Sequence, residues 1–220
     1  RTQKRNIKNL INYSSLEDKN KWEFLHNTNK YQYTLYGGTV ANGEDVYVID
    51  FKPNHRGEFT GRMYISMNTF ALVRVDYEYF TGKTGKDFHL FGIRYSENKF
   101  KASLNFEKKD DKYSLKYCSK KENTYFSFDR TVSFLKKKER FLFDKKTVQI
   151  KLDLDIKLST EFSSEMLVLE EKEISQEQFT DFKEKGDIKR IYVDQFDEKL
   201  WEDHTIIAPT RQMREYKKLN

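Results

Sequence analysis

Residues 45–80 read DVYVIDFKPNHRGEFTGRMYISMNTFALVRVDYEYF and contain three consecutive strand patterns separated by polar turns. Residues 46–51 are apolar on both faces, which is typical of a central strand. Residues 53–57 and 67–69 have the residue types of turns, with Pro and Gly in the first and Asn in the second. The stretch therefore predicts an antiparallel meander with one dry face and one largely solvated face.

Similar alternation continues on both sides of this meander. Residues 31–41 are typical of a strand with a bulge at Gly37-Gly38, and Asn42-Gly43 predicts a tight hairpin. Later strands are predicted at residues 88–95, 100–107, 113–118, 125–128, 132–135, 140–143 and 166–169.

The clearest alternation lies at residues 148–158. Every second residue there is aliphatic, from Val148 to Leu158, and the residues between are polar or charged. Eleven residues at roughly 3.3 Å each give a strand about 36 Å long, and strands of that length usually twist and curl. We therefore expect a strongly curved sheet.

The ends of the chain are predicted to be helical. Residues 1–30 have mixed apolar spacing with a helix start at Ser14-Ser15, and Ser175 begins a helix that carries Phe179 and ends at Gly186. We predict one domain over residues 1–220: a helical lead-in at 1–30, an antiparallel sheet at 31–170, and covering helices and a tail at 171–220. The predicted fold class is mainly β with flanking helices, in which helices cover a strongly curved antiparallel sheet, a half-barrel.

Composition limits the possible functions. The 41 basic and 35 acidic residues give a net charge of +6, but they are interspersed, so we expect no nucleic acid partner. Cys118 is the single cysteine, which excludes an internal disulfide. The chain begins with Arg1 rather than Met and has no apolar signal region, so we expect a processed product or a piece of a longer protein.

No motif predicts catalysis, a metal site or a cofactor. Gly82-Lys83-Thr84 matches the end of a phosphate-binding loop, but Tyr77 stands where the motif needs Gly, so a hairpin loop is favoured. The four histidines are dispersed and none has a zinc-ligand spacing. Asp153 and Asp155 share a strand face with Lys151 and Lys157, which favours a solvated row of charges over acid–base chemistry. We therefore predict that the protein is not an enzyme.

One collective feature predicts binding. Apolar residues of several strands are expected to line one face of the curved sheet, and such a face must be covered. It is either an ordinary core, sealed by the amino-terminal helix and the Phe179 helix, or a groove for an acyl chain or an extended apolar peptide. The residues predicted to line the groove are Phe100, Leu104, Phe106, Leu115, Tyr117, Ile150, Leu152, Leu154 and Ile156.

Three segments carry a resemblance to a known group of proteins. Residues 46–53 (VYVIDFKP), 61–72 (GRMYISMNTFAL) and 201–210 (WEDHTIIAPT) resemble cell-envelope proteins of Bacteroides-type bacteria, which belong to a carboxypeptidase-like regulatory domain or unknown-function group. The resemblance implies no peptidase, since the zinc ligands have no counterpart, and the β-sandwich that precedes such a region would be missing. The strand pattern also resembles, more loosely, the half-barrels of lipoprotein carriers and lipoprotein receptors.

These resemblances imply a periplasmic or outer-membrane-associated location. We expect a non-enzymatic envelope module that binds a lipid, a lipoprotein or another apolar ligand in the concave face of the sheet. The alternative is a structural or protein-docking domain of a larger envelope protein, with other envelope proteins as partners and no small ligand.

Overall fold

The structure, a computed structural model, describes residues 3–54, 56–138, 145–183, 186, 192–201 and 209–218. Within these residues the strands are β1 (Tyr31–Ala41), β2 (Glu44–Pro53), β3 (Phe59–Ser66), β4 (Leu72–Tyr79), β5 (Asp87–Leu90), β6 (Ile93–Lys109), β7 (Lys112–Lys138) and β8 (Lys145–Leu167). The helices are α1 (Gln3–Tyr13), α2 (Glu23–His26), α3 (Gln176–Asp181) and α4 (Arg211–Arg214), and 3-10 turns lie at Thr28–Lys30 and Glu198–Trp201.

All eight described strands belong to one antiparallel sheet. Its order is β1-β2-β3-β4-β6-β7-β8, and β5 pairs with the first residues of β6. Because β1 and β8 lie at opposite ends of this order, the sheet is open. The prediction of a mainly antiparallel β protein is confirmed.

The meander at residues 45–80 has the predicted apolar and polar faces around the middle of β3. Met63 of β3 lies opposite Ile49 and Val75, on the dry face, while Arg62 lies opposite Asp50 and Asp76 on the other face. The hairpin between β1 and β2 has Asn42 and Gly43 at φ 52° and 79°, the left-handed conformation that this turn requires. The bulge at Gly37-Gly38 is also present, as a register shift between Leu35 and Gly37.

Several sequence-based boundaries are wrong. Ser14 does not begin a helix, because α1 ends at Tyr13 and the Ser14 hydroxyl donates a hydrogen bond back to the Ile11 carbonyl (2.7 Å). Residues 88–95 are not one strand, because a hairpin at Phe91-Gly92, both with positive φ, separates β5 from β6. Phe91 replaces the Asn or Asp usual at this turn position, so the sequence signal is absent.

The sequence predicts several short strands where the structure has two long ones, β7 and β8. Residues 113–118, 125–128 and 132–135 all belong to the 27-residue β7, and residues 148–158 and the first half of 166–169 to the 23-residue β8. A polar stretch at residues 119–124 interrupts the apolar alternation of β7, which made one strand look like several. The predicted strand at 140–143 lies outside the described residues.

Helix α3 begins where the sequence predicts. Its N-cap Ser175 accepts a hydrogen bond from the Gln178 amide (3.2 Å), and the Gln178 side chain accepts one from the Ser175 amide (3.0 Å). The helix ends at Asp181, before the predicted stop at Gly186. Its Phe179 is 66% exposed, so in this structure the Phe179 helix buries little of its apolar side.

The core lies between the sheet and the amino-terminal segment. Phe24 stacks on Phe51 with ring centroids 4.3 Å apart, and Trp22, fully buried, lies 5.6 Å from Tyr77. At the end of α1, the Tyr13 hydroxyl hydrogen-bonds that of Tyr77. These rings, together with Phe59 and Phe100, form one aromatic cluster that excludes water from the dry face of β2, β3, β4 and β6.

A buried carboxylate ties this segment to the sheet. Glu23 accepts hydrogen bonds from the Lys30 ammonium, the Tyr31 hydroxyl (2.8 Å) and the Glu58 amide (3.2 Å). Burial favours the neutral acid, but the donors from Lys30 and Tyr31 outweigh it and lower the pKa of Glu23 below its usual value. The ionised Glu23 therefore stabilises the folded state.

We predict that Glu23→Gln lowers the free energy of unfolding at pH 7 by about 2 kcal/mol, because hydrogen bonds to a charged group are lost. Since the folded-state pKa is lowered, this contribution is present above the usual glutamate pKa and is lost as pH falls through the folded value. The difference between the two proteins should shrink below about pH 4. Chemical denaturation at several pH values measures it.

Glu161→Gln is the matched control. Glu161 also forms an ion pair, with Lys121 at 2.7 Å, but both side chains are more than half exposed. We expect a change of less than about 0.5 kcal/mol. Equal losses in the two variants would show that the Glu23 contacts add nothing beyond an exposed ion pair.

Candidate binding surface

The register of four strands brings apolar side chains together on one face. Residues directly opposite each other in an antiparallel sheet point to the same side. One cross-strand row therefore consists of Phe88, Tyr95, Phe126 and Leu158. The next consists of Leu90, Ile93, Phe128 and Ile156. Toward the hairpin end of β7 and β8 the same face carries Val132, Phe134, Ile150, Leu152 and Leu154, and we call all of these residues the distal apolar surface.

This surface is largely open to solvent. Phe134 and Ile150 are each 60% exposed, and Leu90 is 59% exposed. Phe88, Leu152, Ile156 and Leu158 are also exposed, whereas Phe126 and Phe128 are half-buried. Soluble proteins rarely expose a contiguous apolar patch of this kind without using it to bind something.

Polar residues of β7, which we call the polar belt, stand between the core and the distal apolar surface. From Cys118 to Phe134 the even-numbered residues of β7 share one face, so Cys118 in the core and Phe126 in the distal surface lie on the same side. Between them on that side stand Lys120 and Glu122, which form an ion pair (2.8 Å), and Thr124. The Lys120 ammonium lies 5.0 Å from the centre of the Tyr13 ring, at the end of α1.

The nine residues predicted to line a groove do not form one lining. Phe100, Leu104 and Phe106 are buried in the core, and Leu115 packs against it. The residues of β8 lie beyond the polar belt, with Ile150, Leu152 and Ile156 exposed and Leu154 half-buried.

Tyr117 lies on the opposite face of the sheet from the other eight. It stands directly across from Asn105, whereas Leu115 stands across from Phe106. The register shift between these two pairs leaves Lys116 as an extra residue in β7. Leu115 and Tyr117, two positions apart in the sequence, therefore lie on different faces of the sheet.

Phe88, Leu90, Phe126 and Phe128 were missed as binding residues by the sequence reasoning. The sequence of β7 does indicate its two phenylalanines. Phe126, Phe128, Val132 and Phe134 are each an even number of residues from Cys118, so in one continuous strand they lie on the same face as Cys118. For β5 there was no usable signal, since the Phe91-Gly92 hairpin that turns Phe88 and Leu90 onto this face has an atypical turn sequence.

The other face of the sheet carries a charged hollow of about 490 Å³ near β1–β4. Arg62 donates two hydrogen bonds to Asp50 (2.6 and 2.9 Å), and these lower the pKa of that carboxyl. Asp76 accepts from Arg74 (2.8 Å) and from the Ser103 hydroxyl (2.5 Å). Each carboxylate accepts hydrogen bonds from an arginine, which suits a structural row of ion pairs better than a general acid.

Other reactive groups are few in the part of the chain that the structure describes. Burial raises the pKa of the Cys118 thiol to about 11, so it is not a ready nucleophile. The described residues include no group of three or more His, Cys, Asp or Glu that could hold a metal ion. None of the described helices is both long and apolar enough to cross a membrane.

Comparison of the chain with protein-family models, with curated proteins and with solved structures found no match. The resemblance to envelope proteins of Bacteroides-type bacteria therefore stays a prediction.

We predict that Gly92→Ala disrupts the distal apolar surface. Gly92 has φ 77°, and a Cβ there would lie 2.2 Å from the carbonyl oxygen of Asp129 in β7. Because that atom is backbone, the β5–β6 hairpin must shift away from β7, and we expect a loss of about 3 kcal/mol in unfolding free energy.

Gly82→Ala separates the clash from the backbone strain. Gly82 has a similar φ of 82°, but a Cβ there meets nothing within 4 Å. We expect a loss of about 1 kcal/mol from strain alone. If thermal or chemical denaturation gave equal losses for the two variants, close packing of the hairpin on β7 would be contradicted.

Proposed function

We propose that this protein is a non-enzymatic module of the bacterial cell envelope that binds a lipid or the acyl chains of a lipoprotein. The binding site is the distal apolar surface. In this proposal the sheet is strongly curved, as in a half-barrel, the acyl chain lies on its concave side, and helices cover the remainder. The location is the periplasm or the outer membrane.

The observation that carries the proposal is the exposure of so many large apolar side chains on one face. Fully burying one such side chain is worth about 1.5–3 kcal/mol. The rows from Phe88 to Leu158 and from Leu90 to Ile156 cross four strands. Along β7 the surface runs from Phe126 to Phe134, about 26 Å, which is long enough for an extended hydrocarbon chain. The polar belt at Lys120 and Glu122 gives this surface a boundary toward the filled core.

The exposed cation Arg130 indicates where an acidic headgroup would bind on this surface. Arg130 lies on the same face, between Phe128 and Val132, directly opposite Leu154, and it is exposed. The carboxylate of a fatty acid or the phosphate of a phospholipid can pair with its guanidinium while the hydrocarbon lies on the neighbouring rings.

A second candidate function is that of a protein-docking domain of a larger envelope protein. The observation that favours it is the outer edge of β8, 23 residues long and the last strand in the sheet order. Such an edge offers unpaired backbone groups to an incoming strand. Copurification of a protein partner with no extractable lipid would favour this candidate.

We predict that Phe88→Lys combined with Phe134→Lys weakens binding of a fluorescent long-chain fatty acid by at least about tenfold, because two apolar contacts are replaced by charges. Fluorescence titration measures the dissociation constant. Both side chains are more than half exposed, so the fold does not depend on them. Mass spectrometry of organic extracts of the purified protein should also detect copurified lipid.

The matched control is His89→Lys combined with Ser133→Lys. These residues neighbour Phe88 and Phe134 in the same strands but point to the opposite face. They substitute the same lysines, so binding should stay within about twofold of the unaltered protein. Equal affinity of all three proteins, or no binding at all, would contradict the proposed site.

We also predict that Arg130→Gln weakens binding of palmitate about threefold to fivefold and leaves binding of its uncharged methyl ester unchanged, because one exposed ion pair is lost. Competition with the fluorescent fatty acid measures both. Arg94→Gln, on the opposite face in β6, is the control and should affect neither ligand. Equal weakening of acid and ester would contradict a headgroup contact at Arg130.

A further inference from the structure

Among the strands that the structure describes, β8 has the longest open edge. Strand β8 pairs with β7 from Lys145 to Leu167, and no strand among the described residues pairs with its other side. The backbone N–H and C=O groups on that side can form a ladder with another strand. The charges along β8 indicate which strand fits.

On the polar face of β8 the order of charges is self-complementary. Two antiparallel copies of β8 that meet at a two-fold axis through Ile156 place Lys157 directly opposite Asp155 of the second copy, and by symmetry Asp155 opposite Lys157. The same register places Lys151 opposite Glu161 of the second copy. Four pairs of opposite charges result, with no like charges facing each other, which favours this pairing.

Neighbouring registers lack this complementarity. An axis through Asp155 or Lys157 sets that residue against the same charge in the second copy. An axis through Leu154 sets Lys151 against Lys157 and Asp153 against Asp155. Like charges directly opposite each other destabilise a strand pair, so these registers are disfavoured. An axis through Leu152 also sets Lys151 against Asp153, but it pairs only residues 145–159 of the two copies, whereas the axis at Ile156 pairs the whole of β8.

The apolar face agrees with the same register. Ile156 would meet Ile156 of the second copy, and Leu154 would meet Leu158. These residues are part of the distal apolar surface of each copy, so the two surfaces would join across the axis into one. In the single chain, Ile156 and Leu158 are 44% and 55% exposed, and the pairing would cover part of that area.

We propose that β8 is the interface of a symmetric homodimer, in which two copies pair antiparallel about Ile156. The inference goes beyond lipid binding and does not depend on it. It uses the backbone edge and the charges of β8, whereas the ligand would contact the apolar side chains of four strands.

Cysteine cross-linking tests the register. Cys118, the native cysteine, is buried with a raised pKa, so an introduced exposed cysteine is the reactive one. Opposed Cα atoms in an antiparallel pair lie about 4.5–5.5 Å apart, within the range that a disulfide spans. We expect Ile156→Cys to form an intersubunit disulfide under mild oxidation, detected by non-reducing electrophoresis.

Leu154→Cys and Leu158→Cys are the matched controls. Each alone would stand about 13 Å from its own copy across the axis, too far for a disulfide. A mixture of the two variants should form a mixed disulfide, because Leu154 of one copy lies opposite Leu158 of the other. Cross-linking of Leu154→Cys alone, or none of Ile156→Cys, would overturn the register.

Charge-reversal variants test the same interface without a cross-link. Analytical ultracentrifugation over a concentration series should show that the full chain dimerises. We expect Asp155→Lys and Lys157→Asp each to weaken dimerisation at least about tenfold, because both symmetric pairs become repulsive. The double variant, Asp155→Lys with Lys157→Asp, restores opposite charges in every pair between the two copies. It also keeps the ion pair within each copy, where Lys157 lies 2.8 Å from Asp155 in the unaltered chain. It should dimerise within about threefold of the unaltered chain.

Three results would overturn the proposal. The first is a chain that stays monomeric at every concentration. The second is a dimer that neither single reversal weakens, since the contact would then lie elsewhere. The third is a double variant no better than the singles. Because none of these measurements involves a ligand, failure of the dimer and failure of lipid binding are separate outcomes.

Discussion

The structure depends on the packing of the amino-terminal aromatic rings against the sheet. Trp22 and Phe24 contact Tyr77 and Phe51, and Tyr13 reaches Tyr77 and Phe100. An open antiparallel sheet with one apolar face cannot be stable in water unless something covers that face. The Glu23 carboxylate accepts hydrogen bonds from the Tyr31 hydroxyl and the Glu58 amide, which fix the amino-terminal segment against the sheet. These hydrogen bonds and the aromatic cluster therefore stabilise the same contact.

The cover extends over only part of the apolar face. Tyr13 lies near the Lys120 ammonium, whereas β7 continues to Lys138 with β8 alongside it and carries exposed side chains such as Phe134. The same pleat that directs Cys118 into the core therefore directs Phe126 and Phe128 onto an open surface. Exposing that surface costs free energy, which a bound acyl chain or a second copy would offset.

The two proposed interactions use different atoms of the same strands. A ligand would lie on side chains that project from one face, such as Phe88 and Phe134. A second copy would add to the backbone edge of β8 and match charges such as Asp155 and Lys157 on the other face. Side chains project perpendicular to the sheet, whereas backbone groups at its edge point along the plane of the sheet. A ligand on the face and a second copy at the edge can therefore bind at the same time, and dimerisation would extend the surface available to a ligand.

The sequence alone determined the elements whose signals are local. Asn42-Gly43 predicts its hairpin because the turn needs positive φ, Ser175 and Gln178 predict the start of α3 because they cap each other, and alternation predicts the faces of β2 and β3. Only the tertiary structure decided which apolar residues are buried. Leu104 and Ile156 have the same period in the sequence, yet one is fully buried and the other is exposed, because burial depends on where the amino-terminal segment ends and not on the strand itself. The bulge that puts Tyr117 on the other face is likewise set by how β6 pairs with β7, which the local sequence does not determine.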